Sequence, residues 1–442
     1  MYPSLVDSKP PPTVSQHCQI IHSIRPSGTD DSYDPKKIWL SCDLESVPMH
    51  WHKLLLSMSD LRSEFDLCIT RQGPILLTHS LIPEFMHSRQ VPLSLGISYQ
   101  SHDDKILIHP SVDPFLSGIL GRVSCLCLRD PGRAWFSHLA LLERTTHLIL
   151  NNIYVPDQSI SLDDAVSLSE LTVSDSRKVR LTSTFITTLN LVIMPIETSY
   201  DIFTNCPNLK KLYMSCYSYE GYNSGIPVDS FTLPRLEFLH WNLHANEYDK
   251  WCQAIMNHMH LPSLRTLEWD DRYRTPYPAC RRAITRFFDR LPITLTSLTF
   301  YEVNHDILFF PRADSHLESI TFINCYATSF RSYLDKLRSP HRFPRLHTIK
   351  NIWEIRKELT TFWGFSIYRD PAPLHLTEEE SSRTCLTMFR SRMNAPKRRL
   401  TMQLNEVDLG WLKKVERGLL EFKQSGHQVK LLRDKCRIVV QT

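Results

Sequence analysis

One spacing recurs through this chain of 442 residues: an apolar residue, a second three places on, and a third two places after that. It stands in "CPNLKKLYMSC" as Leu209, Leu212 and Met214, in "LPRLEFLHW" as Leu236, Leu239 and Trp241, and in "LPSLRTLEW" as Leu264, Leu267 and Trp269. "LTSLTF" supplies Leu295, Leu298 and Phe300, "LESITF" supplies Leu317, Ile320 and Phe322, and "PRLHTIKN" supplies Leu346 and Ile349. Weaker copies upstream, "RVSCLCL", "THLILN", "LSELTV" and "ITTLNL", centre on Leu126, Leu148, Leu171 and Leu189. The middle residues follow one another at intervals from 18 (Leu171 to Leu189) to 31 (Leu267 to Leu298). A unit of that size cannot bury its apolar edge alone, so the copies must stack.

In a strand, side chains alternate with period two, so the residues at offsets three and five share a face and those between them point the other way. Burying a large apolar side chain stabilises by roughly 1.5–3 kcal/mol, and about ten such triads are ample to hold a stack against chain entropy. Between the later copies lie segments with helical periodicity. "NEYDKWCQAIMNHMH" repeats Trp251, Ile255 and Met259 every four residues, and "YPACRRAITRFFDRLP" places Ile284, Phe287, Phe288 and Leu291 on one stripe, as "RAWFSHLALLERT" does Leu139 and Leu142. Each unit therefore reads as strand, turn, helix, return. The expected architecture is an α/β leucine-rich-repeat solenoid, with parallel strands on the concave side and helices on the convex side. Such a stack accommodates a long chain because each repeat packs only on its neighbours.

Composition narrows the function classes. Twelve glycines in 442 residues is roughly 3%, against about 7% on average, so phosphate-cradling loops are scarce. No G-x-S-x-G, G-x-x-x-x-G-K-[ST], G-x-G-x-x-G or H-E-x-x-H is present, and no spacing singles out a catalytic triad. A non-enzymatic protein is expected, with no cofactor. Fifty-one basic and 47 acidic residues leave a net charge of +4, spread along the chain, which argues against a nucleic-acid partner. The Arg281-Arg282 and Lys397-Arg398-Arg399 clusters read as solvated faces. No apolar run reaches the roughly 20 residues of a membrane-spanning helix. Twelve cysteines without framework spacing, behind a start that lacks a signal-peptide layout, predict reduced thiols and an intracellular setting, cytoplasmic or nuclear. Cys125-x-Cys127 has no second ligand pair at finger spacing, and His50-x-His52 and His258-x-His260 are not chelating pairs on a helix, so no metal is expected.

The ends differ from the middle. Residues 1–35, with Pro10-Pro11-Pro12 and "RPSGTDDSYDP", have the composition of a disordered tail. From Lys36 to about Leu67 the pattern is helical, with Trp51, Leu54, Leu55 and Met58 at helix spacing, and "VPLSLGI" then alternates as a strand. Beyond the repeats, "TEEESSRTCLTMFRSRM" starts a helix at a Thr377 N-cap, "RRLTMQL" alternates as a strand, "DLGWLKKVERGLLEFKQSG" makes a helix bounded by Asp408 and Gly426, and "HQVKLL" is a further strand. An atypical ending suits the last layer of a stack.

The positions that point away from the core are the candidate partner-binding residues: Lys211 and Tyr213, Phe238 and His240, Thr266 and Glu268, Ser297 and Thr299, Ser319 and Thr321, Thr348 and Lys350, with Cys125 and Cys127 at the N-terminal end. Parallel strands set them about 4.8 Å apart per step, which suits an extended partner. The plainer alternative is a solvated sheet face; exposed aromatics such as Tyr213 and Phe238 favour an interface.

Three stretches resemble the F-box and leucine-rich-repeat proteins of mushroom-forming (basidiomycete) fungi. "MHWHKLLLSMSDLRSEFDLCI", residues 49–69, is similar to the distal part of an F-box and the segment after it; "VPLSLGI" is similar to the strand those proteins place before their repeats; "CLTMFRSR" with "LLEFKQSGHQVKLL" is similar to their ending. No leucine-proline opening helix precedes Trp51, so the F-box-like segment is degenerate. The resemblance implies a disordered tail over 1–35, an F-box-like helical segment and linker strand over 36–98, irregular repeats over 99–360, and a C-terminal capping repeat over 361–442. It places Trp51, Leu54 and Leu55 in the surviving F-box-like helix, whose simpler reading is core packing. It implies a protein-binding module that serves as substrate-recognition adaptor of a Skp-cullin-F-box ubiquitin ligase; the alternative is a repeat scaffold that has lost docking to the Skp adaptor.

Overall fold

The period-two alternation of the repeats becomes a ladder in space. The computed structural model describes residues 64–70, 73–75, 92–99, 120–131, 143–153, 159–176, 179–217, 226–243, 250–270, 278–303, 310–325, 327–339, 341–352, 378–393, 401–405, 417–418, 420, 430–434 and 437–441. The chain divides into two units, Met1–Ser59 and Asp60–Thr442, and every described residue belongs to the second. The tail, the helix expected from Lys36 and its residues Trp51, Leu54 and Leu55 lie outside the described residues, as do Leu139, Leu142, Thr377, Asp408 and Gly426.

The described strands are β1 (Glu64–Thr70), β2 (Gly73–Ile75), β3 (Leu93–Tyr99), β4 (Val123–Arg129), β5 (His147–Asn151), β6 (Ser159–Ser161), β7 (Glu170–Ser174), β8 (Arg180–Thr182), β9 (Thr188–Pro195) and β10 (Lys211–Tyr217). They continue as β11 (Phe231–Thr232), β12 (Phe238–Leu243), β13 (Met259–His260), β14 (Thr266–Asp270), β15 (Ser297–Tyr301), β16 (Ser319–Ile323), β17 (Thr348–Ile352), β18 (Thr401–Asn405), β19 (Lys430–Asp434) and β20 (Arg437–Gln441). The helices are α1 (Ile196–Thr204), α2 (Lys250–His258), α3 (Pro278–Asp289), α4 (Ala327–Leu337) and α5 (Glu378–Met393).

A sixteen-stranded sheet runs in the order β19-β20-β18-β17-β16-β15-β14-β12-β10-β9-β7-β5-β4-β3-β1-β2. From β1 to β18 every neighbouring pair is parallel; β2 at one end and the β19–β20 hairpin at the other are antiparallel. The expected centres fall on one register line: Leu126, Leu148, Leu171, Leu189, Leu212, Leu239, Leu267, Leu298, Ile320 and Ile349 are successive partners, all fully buried. The line extends to Leu95 upstream and Met402 downstream. A second buried line two residues on runs through Leu128, Leu150, Val173, Leu191, Met214, Trp241, Trp269, Phe300 and Phe322.

Helices cover this face. Phe287 of α3 lies 5.9 Å from Trp269, Phe288 lies 5.2 Å from it, and from α4 Tyr333 and Phe330 reach Phe300 and Phe322 at 4.8 and 5.2 Å. The expected stripes are buried: Trp251 and Ile255 on α2, Ile284, Phe287 and Phe288 on α3, and Leu291 beyond it. Among the described residues, no helix is long and apolar enough to cross a membrane.

Three sequence expectations change. The helix expected to reach Leu67 gives way to strand at Glu64, because Phe65, Leu67 and Ile69 alternate and β1 finds a parallel partner in β3. The sheet thus begins upstream of residue 99. The unit is not uniformly strand-to-helix: between β5 and β9 the returns carry the short strands β6 and β8, paired with each other. Met259, expected on the helix stripe, is buried in β13 and pairs with Phe231 of β11.

The scarcity of glycine is met in the turns. Asp130, Asn152, Asp175, Glu302 and Asn324, each directly after a strand, have φ of 52°, 54°, 44°, 51° and 52°. Asp and Asn tolerate this left-handed region better than other non-glycine residues. Their N–H groups donate to the carbonyls of Asn151, Ser174, Val192, Ile323 and Ile352 on the next strand, at 2.8–3.1 Å.

Candidate functional site

The face opposite the helices carries the alternate residues of every strand, in rows fixed by register. The first row runs Cys125, His147, Glu170, Thr188, Lys211, Phe238, Thr266, Ser297, Ser319, Thr348; the second runs Cys127, Ile149, Thr172, Asn190, Tyr213, His240, Glu268, Thr299, Thr321, Lys350. Lys211 is exposed. Cys125, Cys127, Tyr213, Phe238, His240, Thr266, Glu268, Ser297, Ser319, Thr321, Thr348 and Lys350 are partly exposed.

Thr299 departs from the expected exposure: it is 8% exposed. Its short side chain stands in register between Glu268 and Thr321, and Tyr301, two residues further on its own strand, reaches past it to Glu268.

Four of the expected residues meet in one cluster. Tyr213 and Phe238 lie with ring centroids 4.8 Å apart, and Tyr213 and His240 at 6.1 Å. His240 Nδ1 donates to Glu268 Oε2 at 2.9 Å, and the Tyr301 hydroxyl donates to the same oxygen at 3.3 Å. The His240 and Tyr301 rings meet edge-on at 5.8 Å. The His240 and Glu268 side chains are 22% and 24% exposed, so their bond is partly shielded from water. Burial, then the nearby charges of Glu268 and Glu170, push the Tyr213 phenol above its ordinary range, which keeps it a neutral donor. The cluster presents three aromatic rings and an imidazole around one carboxylate on four neighbouring strands. Ser297, Ser319, Thr321, Thr348 and Lys350 lie along the same rows toward the C-terminal end, outside the cluster.

Tyr301 is the member that the repeat spacing overlooks. Its signal is present, since Ser297, Thr299 and Tyr301 alternate on one strand, but two outward positions per unit stop one step short of it. His147 and Glu170 are also missed, although they stand one residue before the centres Leu148 and Leu171, the offset that marks Lys211 and Phe238.

Some polar residues at the strand ends are covered. Asn151 and Ser174 are hydrogen-bonded to each other, and Asn242 and Asp270 are register partners at 7% and 1% exposure. Cys125, Cys127, Cys206, Cys216, Cys252, Cys325 and Cys385 are free thiols. Among the described residues no group of three or more His, Cys, Asp or Glu side chains is placed to hold a metal ion. Compared with known proteins, the chain matches no protein-family model and no curated protein.

Proposed function

We propose that the chain is a protein-recognition module of the leucine-rich-repeat kind, which captures a protein partner on the open face of its sheet. The observation that carries this is the cluster of Tyr213, Phe238, His240 and Tyr301 around the Glu268 carboxylate, partly exposed and held in register by four strands. Aromatic side chains with a polar tip are what protein interfaces concentrate at their centres. The rows on either side, spaced at strand intervals, suit an extended surface better than a small molecule.

Quantitative capture from a cell extract tests the reading, with three baits: the unaltered chain, the combined Tyr213→Ala/His240→Ala/Glu268→Ala variant, and Arg281→Glu/Arg282→Glu on the exposed side of α3. A discrete set of proteins lost with the first variant and kept with the second is expected; equal recovery with all three baits overturns it. The thermal midpoint of the open-face variant should stay near that of the unaltered chain.

The resemblance of residues 49–69 to an F-box supports a further role as substrate-recognition adaptor of a Skp-cullin-F-box ubiquitin ligase. Its test is direct mixing of the purified full chain with a Skp adaptor, beside an F-box protein as control. A stable complex supports the adaptor role; no complex, with the control binding, makes the chain a repeat scaffold outside the ligase.

A further inference from the structure

A second constellation stands on the open face, several strands from the aromatic cluster. Cys125 on β4 and His147 on β5 are register partners, and Cys125 Sγ lies 3.8 Å from His147 Nδ1, within hydrogen-bond reach for sulfur. The other ring nitrogen is engaged: Nε2 lies 3.2 Å from Thr172 Oγ1 and 4.0 Å from Glu170 Oε1, both on β7. In the tautomer whose Nε2–H donates to Thr172, the Nδ1 lone pair faces the thiol and can accept a proton from sulfur. Nucleophile, base and a group that orients the base thus follow one another across three strands, the arrangement that activates a thiol. Among the described residues, the titratable and charged groups on this stretch of the face are His147, Glu170, Cys127 and Arg129.

Six other cysteines differ. Cys206, Cys216, Cys325 and Cys385 are buried, and burial pushes each thiol up to about 12. Cys252 is buried as well. Cys127, two residues along and also partly exposed, accepts a hydrogen bond from Asn151 Nδ2 at 3.8 Å and has Ile149 as its register partner. Cys125 combines partial exposure with an adjoining imidazole.

We propose that Cys125 and His147 form a thiolate–imidazolium pair, which makes Cys125 a site of covalent modification by α,β-unsaturated carbonyl compounds. Transfer of the thiol proton to Nδ1 generates the thiolate. Its electron pair attacks the β-carbon, forming the C–S bond; the carbon–carbon π bond opens toward the carbonyl as an enolate, and the α-carbon takes the proton back from Nδ1. The step is an addition, with no leaving group and no oxidant. The adduct stands in the first row of the open face.

The test uses the purified full chain with acrylamide as the probe at pH 7. Labelling of each cysteine is followed by mass spectrometry, with fragment ions separating Cys125 from Cys127 within the peptide Val123–Arg129. Cys125 should be labelled about tenfold or more faster than Cys127, as thiolate character dictates, and its advantage should widen at pH 6, where an unassisted thiol is protonated. His147→Asn should bring the Cys125 rate down to that of Cys127, and Thr172→Val, which frees the ring but keeps the base, should lower it less. Equal rates at Cys125 and Cys127 in the unaltered chain, or a Cys125 rate unchanged in a folded His147→Asn variant, overturn the proposal. If His147→Asn does not fold, the comparison of the two cysteines at pH 6 and pH 7 in the unaltered chain decides it.

Discussion

Trp241 and Trp269, on adjacent parallel strands, lie 6.0 Å apart with their ring planes 5° from parallel. They occupy one register line with Phe300 and Phe322, and Phe287 and Phe288 of α3 close over them. Both indole N–H groups are buried without a hydrogen-bond partner. The rings therefore contribute through packing, and the N–H groups cost stability. Trp269→Ala should destabilise by about 3–5 kcal/mol, whereas Trp269→Phe, which shrinks the ring but removes the partnerless donor, should cost less than half as much. Urea unfolding of the two variants checks this, and equal losses would mean that the indole nitrogen is satisfied in solution.

Arg392 of α5, 2% exposed, is a buried cation whose guanidinium donates to backbone carbonyls. Nε donates to Leu337 O at 2.6 Å, at the C-terminal end of α4, and the fork reaches the carbonyls of Arg342 at 2.8 Å and of Ser339 and Phe343 at 3.4 Å. A cation there complements the helix dipole and satisfies carbonyls that the helix leaves unpaired. Arg392→Met should cost at least about 3 kcal/mol, because those carbonyls stay buried without donors. Arg392→Lys should recover only part, since a point charge cannot reproduce the planar fork. Thermal unfolding separates the three; equal midpoints for Lys and Arg would show that charge alone matters.

Ile193 sits at φ 52° where β9 bulges against β10: Ser215 pairs with Val192 and Cys216 with Met194. A β-branched residue in the left-handed region is strained by roughly 1–2 kcal/mol, and at 37% exposure its side chain gains little burial in return. Ile193→Asn is expected to raise stability by about 1 kcal/mol. A lower midpoint for this variant would place the Ile193 contacts above the backbone strain.

Asp163 joins the two short return strands: its carboxylate accepts the Thr184 N–H at 2.9 Å, the Thr184 hydroxyl at 3.2 Å and the Ser161 hydroxyl at 3.2 Å. The Thr184 N–H above all holds the carboxyl below its ordinary value of 3.8. A depressed acid adds stability that is fully present above the unfolded value and is lost as pH falls through the folded one. Asp163→Asn should therefore lower the thermal midpoint at pH 7, and the gap to the unaltered chain should close as the pH drops below about 4. A gap that persists at pH 2.5 would point to packing rather than charge.

Much of the sheet is written in the sequence because its cause is local. Leu212, Leu239 and Leu267 lie at a fixed offset from their partners on the same strand, and period-two geometry turns that offset into a face. Helix stripes such as Ile284, Phe287 and Phe288 are local in the same way. What the pattern hides depends on distance. Arg392 meets Leu337 from 55 residues away, and no spacing marks a surface-type residue as a buried cap. The strand at Glu64–Thr70 is decided by β3, a partner some thirty places on. At the open face, Tyr213, Phe238, His240 and Glu268 follow from alternation, but the meeting of His240 and Tyr301 on one Glu268 oxygen depends on side-chain reach across strands. Thr299 was legible as outward and not as covered, since cover comes from the strands on either side and from Tyr301 reaching past it.

The face used for capture is tested most directly by a photo-crosslinking residue placed in turn at Tyr213, at Thr266 and, on the helix side, at Arg282. Light should then join the chain to the same discrete protein from the first two positions and leave the third without an adduct. Crosslinks from Arg282 alone, or the same adducts from all three positions, would contradict capture on the open face.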